Sequence, residues 1–226
     1  MAKETSGIAR RRAAAREEAN PSYLERRAEI VRAAARVFKA KGLQGANLGD
    51  IAVESGADRA SLYYYVGSKE ELFHEAVREA VEANLLRARA IRDGEGTAPE
   101  KLRVLIESLM TSYAENYPIL YVFVQENLSR MPDKHASWAR DMRRINKEYE
   151  QIVVALVSDG MDVGTVRSVG PPWIVAYGLM GMVGWTSRWF EPDESAASAQ
   201  EIAAVFAETL LGGLQEPKRR RPLRSA

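Results

Sequence analysis

The spacing of apolar residues constrains this chain more than any other feature of its sequence. Apolar side chains recur at intervals of three and four residues, as on one face of an α-helix, and no segment keeps the two-residue alternation of a β-strand. One such face precedes Lys41-Gly42, a typical helix end, and comprises Ile30, Ala33, Ala34, Val37 and Phe38. Another seam runs from Trp138 to Leu156. The sequence therefore predicts an all-α fold.

Four further helix starts are marked by a capping side chain three residues before an acid. The pairs are Asn47 and Asp50, Ser68 and Glu71, Thr97 and Glu100, and Ser198 and Glu201. Each pair is followed by an apolar pattern of helical period. We therefore expect a helix to begin immediately after each of these caps.

Composition excludes several kinds of chemistry. The chain contains no cysteine, which excludes disulfide scaffolds, thiolate zinc sites, iron–sulfur clusters and cysteine nucleophiles. Its two histidines, His74 and His135, have no cluster of carboxylates beside them in the sequence. There is no Gly-rich phosphate loop and no pattern of a nucleophile beside a base. We therefore expect no metal site, no cofactor and no enzymatic activity.

Positive charge is concentrated at the two ends of the chain. Residues 1–20 hold five Lys or Arg and three Glu, and residues 215–226 hold five and one. Since the whole chain carries +1, the 194 residues between the ends carry −5. A basic arm and a basic tail suit a polyanion partner, although charged chain ends are often merely solvated. No secretory signal opens the chain, which predicts a cytoplasmic location.

Residues 168–187 contain no charged side chain, a property shared with membrane-spanning helices. Prolines open this run, so its helix is expected to start near Pro171 and to be shorter than the about 20 apolar residues that a span needs. Gly178, Gly181 and Gly184 form a row without side chains, which lets another helix approach closely. We therefore expect a helix buried at an oligomer interface and no membrane insertion.

A helix-turn-helix pattern lies in residues 47–72, which read NLGDIAVESGADRASLYYYVGSKEEL. Asn47 caps a first short helix, residues 55–57 (Ser-Gly-Ala) form the turn, and Asp58 caps a second helix over residues 59–66. In such a unit the second helix enters the major groove of DNA and presents its N-terminal residues to the bases.

The surface of the second helix suits DNA. Leu62 and Val66 are expected to face the core, which leaves outward Arg59, Ala60, Ser61, Tyr63 and Tyr64. Lys69 lies where the next helix begins, and its charge together with free backbone N–H groups suits a phosphate. Alternatively, the tyrosines are half-buried packing residues and Lys69 is a solvated lysine.

The pattern xIAxxSGxxxxxLYYYVxSKEEL, preceded by an amphipathic helix that ends in Lys-Gly, strongly resembles the TetR family of transcriptional regulators. The matching residues are Ile51, Ala52, Gly56, Leu62, Tyr63, Tyr64, Tyr65, Ser68, Lys69, Glu70, Glu71 and Leu72. The resemblance implies a homodimer that binds a palindromic double-stranded DNA operator through residues 21–67. It implies that residues 68–214 bind a small hydrophobic effector, which releases the DNA. At Val66 this sequence departs from the family, which usually has Phe at that position.

The resemblance also assigns roles by position. Ser61, Tyr63, Tyr64 and Lys69 would contact DNA, Arg59 and Ala60 would be among the base readers, and Asn47 would touch phosphate. The last two long helices, about 171–190 and 199–212, would form a four-helix bundle across a two-fold axis. The interface residues would then be Gly178, Gly181, Gly184, Ile202, Phe206 and Leu210.

Two groups of residues are candidates for the effector site. Tyr121, Gln125 and Leu128 share a helix face in an aromatic stretch that also holds Tyr113, although such a stripe is more often core. Trp185, Arg188 and Trp189 end the uncharged helix, where Arg188 would suit an anion or would simply cap the helix end.

The string WxxRWFEP around Arg188 also resembles TetR regulators that sense acyl-CoA or fatty acids and control lipid metabolism. A dimeric, ligand-responsive repressor is therefore the leading hypothesis. An enzyme and a helical adaptor without DNA affinity are the alternatives.

Overall fold

The computed structural model describes residues 21–125 and 136–213, and all regular structure in them is helical. The predicted basic arm, the basic tail and Leu128 lie outside these residues. The helices are α1 (Pro21–Gly45), α2 (Leu48–Ser55), α3 (Arg59–Tyr65), α4 (Lys69–Asp93), α5 (Ala98–Glu115), α6 (Ile119–Gln125), α7 (Ala136–Asp162), α8 (Pro172–Trp185), a 3-10 turn (Thr186–Arg188) and α9 (Ala199–Gly212). The predicted all-α fold is confirmed.

Helices α1 to α3 pack as a small unit at the N-terminal side. The predicted stop at Lys41-Gly42 is confirmed, because Gly42 interrupts α1 with a φ of 67°, a conformation that glycine adopts readily. The apolar face of α1 is buried, as shown by Ile30 and Phe38, which are at most 1% exposed. Ile51 of α2 and Leu62 of α3 are fully buried in the same core.

The four predicted caps are all present. Asn47, Thr97 and Ser198 each form a capping box with the acid three residues later, and the Ser68 hydroxyl accepts the backbone N–H of Glu71. These bonds satisfy backbone N–H groups that have no partner within the first helical turn. The caps thus fix where α2, α4, α5 and α9 begin.

The long helices α4, α5 and α7 form the larger part of the molecule. Helix α4 lies along α5 and α7, α8 packs on α7, and α9 packs on α5. Along the predicted seam of α7, Trp138, Met142 and Ile152 are buried. The core continues through the interior of this bundle into the core of α1 to α3.

Helix α8 is shorter than the expected segment 171–190. It ends at Trp185 and continues as a single 3-10 turn. The hydroxyls of Thr186 and Ser187 donate to the carbonyls of Val183 and Gly184, at 2.6 and 2.9 Å. Such local bonds draw backbone carbonyls away from the regular helical pattern. Within the described ranges, no helix is both long and apolar enough to cross a bilayer.

Candidate DNA-binding surface and effector cavity

The turn between α2 and α3 depends on two residues. Gly56 closes α2 in the left-handed conformation with a φ of 62°, where an L side chain is strained. Asp58 then caps α3: its carboxylate accepts the backbone N–H of Ser61 at 2.8 Å and also the Ser61 hydroxyl. The hydroxyl of Ser61 keeps the pKa of Asp58 below its usual range, so the cap is ionised at neutral pH.

Helix α3 buries one side and exposes the other. Leu62 and Val66 are at most 1% exposed, and Val66 fills the position where phenylalanine was expected. The outward residues are Arg59, Ala60, Ser61, Tyr63 and Tyr64, all of which are exposed. The division between core and surface in α3 is therefore the one that the sequence predicted.

The tyrosines of α3 combine surface and packing roles. Tyr63 and Tyr64 are each 37% exposed. Tyr64 also meets the ring of buried Tyr23 edge to face at 5.6 Å, and Tyr65 stacks on Tyr23 at 5.0 Å. Both interpretations of the tyrosines therefore apply, since Tyr64 is exposed and also packs against Tyr23.

Lys69 has a different environment from the predicted one. Its ammonium group donates to the backbone carbonyls of Leu43, Gln44 and Ala46, at 2.8, 2.9 and 2.6 Å. These three bonds use all three N–H donors of the ammonium and cap the end of α1. Lys69 thus fastens α4 to α1, and a phosphate would have to compete with these carbonyls.

Asn47 is exposed at the start of α2, as expected. Its side-chain oxygen accepts the N–H of Asp50 at 3.0 Å, and its own N–H donates to the Asp50 carboxylate at 3.2 Å. The Asp50 carboxylate also pairs with Lys41 at 2.8 Å, which lowers the pKa of Asp50. These bonds hold the amide of Asn47 in a fixed position at the exposed start of α2.

A cavity of about 190 Å³ lies inside the larger helical part. The described residues that line it carry no charge and come from α4 to α8 and from the 3-10 turn. The lining residues are Val81, Asn84, Leu109, Tyr113, Leu120, Phe123, Val124, Ile145, Asn146, Tyr149, Val183, Gly184, Thr186 and Ser187. Burial raises the pKa of both Tyr113 and Tyr149, so the two phenols are neutral. The cavity offers an apolar surface with a few neutral polar groups.

Of the described residues predicted for the effector, only Tyr113 lines this cavity. Tyr121 is half-buried and Gln125 is exposed, and neither lines the cavity. Trp185 and Trp189 are 63% and 49% exposed. Asn84, Asn146 and Tyr149 were missed, although the apolar seam of α7 already contained Tyr149.

The cavity opens toward the surface between α6 and α8. Two of its lining residues, Val124 and Gly184, are exposed. Arg188, which follows the lining residue Ser187, is exposed, and its guanidinium lies 5.6 Å from the ring centre of Trp185. Arg188 is not among the described residues that line the cavity, so an anion bound to it would lie outside the part of the cavity that they enclose.

The outer face of α8 is apolar and exposed. Trp173, Ile174 and Tyr177 are 54%, 50% and 44% exposed, and open space surrounds the positions of Gly178 and Gly181. On α9, Phe206 and Leu210 are half-buried. Ile202, in contrast, is only 6% exposed and belongs to the core of its own chain, because α9 turns that side toward α5. Ile202 therefore presents less surface to a second copy than Phe206 and Leu210 do.

Comparisons with known proteins agree with this architecture. The family model described as bacterial regulatory proteins, tetR family, matches residues 30–76. The model described as tetracyclin repressor-like, C-terminal domain, matches residues 95–214, more than half of the chain. The transcriptional repressor KstR2 of Mycolicibacterium smegmatis is 28% identical over 194 residues, which cover 84% of this chain and 91% of that protein.

Two solved structures share the fold. KstR2 of Mycobacterium tuberculosis superposes with a TM-score of 0.75 at 24% identity and covers 85% of this chain and 96% of its own. FadR of Bacillus subtilis, solved in complex with stearoyl-CoA, gives 0.62 at 19% identity over 83% and 98%. Together, the helix-turn-helix geometry and the two family models show that the chain belongs to the TetR family of bacterial transcriptional regulators, which are not enzymes.

Proposed function

We propose that this protein is a homodimeric repressor that binds a palindromic operator through α3 and leaves it when a small hydrophobic effector occupies the cavity. The observation that carries the proposal is a cavity whose described lining residues are uncharged, in the same chain as a capped helix-turn-helix. Residues 21–67 are the proposed DNA-binding domain, and residues 68–214 the proposed effector and dimer domain.

The DNA contacts are proposed from exposure and order along α3. Arg59, Ala60 and Ser61 occupy the N-terminal turn, which a recognition helix points at base edges. Tyr63 and Tyr64 lie further along the exposed face, where phenol hydroxyls can donate to phosphate oxygens. Asn47 is proposed to donate to phosphate at the start of α2.

The proposed effector is an acyl-CoA or a fatty acid. A cavity of about 150 Å³ accommodates benzene, so a chamber of about 190 Å³ suits a short acyl chain or part of a longer one. Since the described lining residues carry no charge, an anionic headgroup is proposed to remain outside them, near Arg188 and Trp185. The stearoyl-CoA complex of FadR supports this class, because a protein of the same fold binds such a molecule.

The proposed dimer interface is the outer face of α8. Exposed Trp173, Ile174 and Tyr177 form a contiguous apolar surface of the kind that marks interaction sites. The glycine row beside them permits close contact with the same helix of a second copy. Half-buried Phe206 and Leu210 of α9 extend this surface.

The proposal is tested by selecting duplexes that bind the purified protein from a random pool. An enriched palindrome with two half-sites is the expected result. The selected duplex then serves as the probe for release by acyl-CoAs of increasing chain length, measured by fluorescence anisotropy. A folded protein that enriches no duplex at low salt would contradict the DNA-binding role.

Two arginine variants sharpen this test. Arg59→Ala is expected to weaken operator binding by about 1–3 kcal/mol and to relax the preference at one base position in each half-site. Arg32→Ala is the matched control, because Arg32 is also exposed but lies on α1. Equal losses for both variants would show a general effect of charge and no base reading by Arg59.

A further inference from the structure

A short segment connects the wall of the cavity directly to α1. Thr186 and Ser187 line the cavity and are buried. The chain then folds back on itself, with the N–H of Phe190 donating to the Thr186 carbonyl at 2.8 Å. Glu191, the next residue, reaches the N-terminal unit. Three residues therefore lie between Ser187 in the wall and Glu191, which contacts the proposed DNA-binding helices.

That contact is an ion pair. The ammonium of Lys39 in α1 lies 2.6 Å from the Glu191 carboxylate and 4.9 Å from the ring centre of Tyr117. The hydrogen bond between them raises the pKa of Lys39 and lowers that of Glu191, so both are charged at neutral pH. Between described residues, no other ion pair joins α1 to the chain beyond α4.

Aromatic packing holds the same segment against the cavity. Phe190 is 2% exposed, and its ring centre lies 6.0 Å from that of Tyr113, which lines the cavity. Tyr113 in turn lies 5.9 Å from Tyr117, the ring beneath Lys39. Displacement of this wall therefore acts on Phe190 and Glu191 together.

A groove of about 700 Å³ runs along α1, and Lys39 and Tyr117 both line it. Helix α1 also packs on α6, and Lys39 lies over the ring of Tyr117 in the turn between α5 and α6. A shift of Lys39 would therefore change its contact with this turn as well.

We propose that Lys39 and Glu191 are positioning residues that transmit occupancy of the cavity to the DNA-binding helices. An occupant that moves Thr186 and Ser187 moves Glu191, which carries Lys39 and the end of α1 with it and so changes the placement of α2 and α3. The inference rests on the proposed function, since it presumes that the cavity controls DNA binding. Coupling of this kind is measured as the factor by which occupancy changes operator affinity.

The absence of cysteine permits a test without knowledge of the natural effector. Ser187→Cys introduces a single thiol in the cavity wall, which butyl and decyl methanethiosulfonate convert to alkyl disulfides. Mass spectrometry verifies one label per chain. Operator affinity is then measured for labelled and unlabelled protein in the parent and in Lys39→Met, Glu191→Gln and Glu54→Gln backgrounds.

The expected result is a loss of operator affinity on decyl labelling of about tenfold or more in the parent. In the Lys39→Met and Glu191→Gln backgrounds the loss is expected to fall to about twofold or less. The Glu54→Gln background is the matched control, because Glu54 pairs with Arg36 at 2.6 Å within α1 and α2. It is expected to keep the full loss. If the ion pair only stabilised the fold, its removal would change the operator affinity of labelled and unlabelled protein by the same factor, and the ratio of the two affinities would stay the same.

A label at Ser187 also perturbs the wall itself, so a second attachment site is needed. Val124→Cys places the thiol on α6, where Val124 lines the cavity and is 53% exposed to the reagent. Release from this label is also expected to depend on Lys39.

The opposing outcomes are distinct. Equal loss on labelling in the parent and Lys39→Met backgrounds, at either attachment site, would overturn the inference and leave the proposed function intact. Labelled and unlabelled proteins that bind the operator alike in every background would overturn both.

Discussion

The ring of Tyr23 stacks on the ring of Tyr65 with their centres 5.0 Å apart and their planes inclined by 26°. Tyr23 lies in the first turn of α1, and Tyr65 is the last residue of α3. This stack therefore joins the start of the N-terminal unit to the end of its recognition helix. It holds α3 at a fixed angle while the opposite side of the helix remains exposed.

Substitutions of Tyr23 and Tyr63 are expected to affect different properties, the first stability and the second DNA binding. Tyr23→Ala is expected to lower the free energy of unfolding by about 3 kcal/mol, because a large aromatic ring that is 5% exposed is removed. Tyr63→Ala is expected to change stability by less than about 0.5 kcal/mol and to weaken operator binding. Urea denaturation and anisotropy measure the two effects. Equal destabilisation by both variants would contradict this separation.

Removing each of two buried hydroxyls in the cavity wall should have a different effect on the free energy of unfolding. The Tyr113 hydroxyl is buried and has no hydrogen-bond partner among the described residues, so Tyr113→Phe is expected to leave stability unchanged or raise it by about 1 kcal/mol. Thr186 donates to the Val183 carbonyl at 2.6 Å, so Thr186→Val is expected to lower it by about 1 kcal/mol. Urea denaturation at one protein concentration checks both. A clear loss in Tyr113→Phe would show a missing partner.

Association through α8 is expected to depend on Gly181. A side chain at this position meets nothing within the chain, so Gly181→Leu should fold normally and block approach of a second helix. Sedimentation is expected to show a shift from dimer to monomer. Ala90→Leu adds the same side chain to an exposed position on α4 and should not change the mass. A Gly181→Leu protein that stays dimeric would remove this face from the interface.

The ion pair between Lys39 and Glu191 predicts a dependence of stability on pH. Because Lys39 lowers the pKa of Glu191 in the folded state, the stabilisation is complete above the unfolded pKa and is lost as pH falls through the folded one. Lys39, whose pKa is raised, stays charged throughout this range. The urea midpoint of wild type should exceed that of Glu191→Gln at pH 7, and the difference should shrink progressively as the pH falls below the usual pKa range of glutamate. A difference that stays constant as the pH falls, or grows, would contradict the pair.

Local signals in the sequence predicted most of the fold. A capping box needs only two residues three positions apart, so the caps at Asn47, Thr97 and Ser198 could be predicted without knowledge of the packing. The exposed face of α3 followed from the same local reasoning, since Leu62 and Val66 alone define its inner side. Assignment to the family was possible because this segment keeps both the order and the spacing of the pattern.

Contacts between distant residues could not be predicted in the same way. Lys69 bonds to carbonyls 23 to 26 positions earlier in the chain, a relation that no local pattern encodes. The described residues that line the cavity lie between Val81 and Ser187, on five helices and a 3-10 turn. Of these lining residues, only Tyr113 was predicted from the sequence as part of the effector site. Trp185 and Arg188 are one position removed from wall residues, and a rotation of about 100° per residue carries them to the surface.

The ion pair of Lys39 and Glu191 has a consequence for recombination between regulators. Its cation comes from the segment proposed to choose the operator, and its carboxylate from the segment proposed to sense the effector. On the proposed coupling, a hybrid protein that has Lys39 without Glu191, or Glu191 without Lys39, would bind its operator but would not be released by its effector. When the DNA-binding domain of one regulator is joined to the effector domain of another, the residues at positions 39 and 191 must therefore be transferred as a pair.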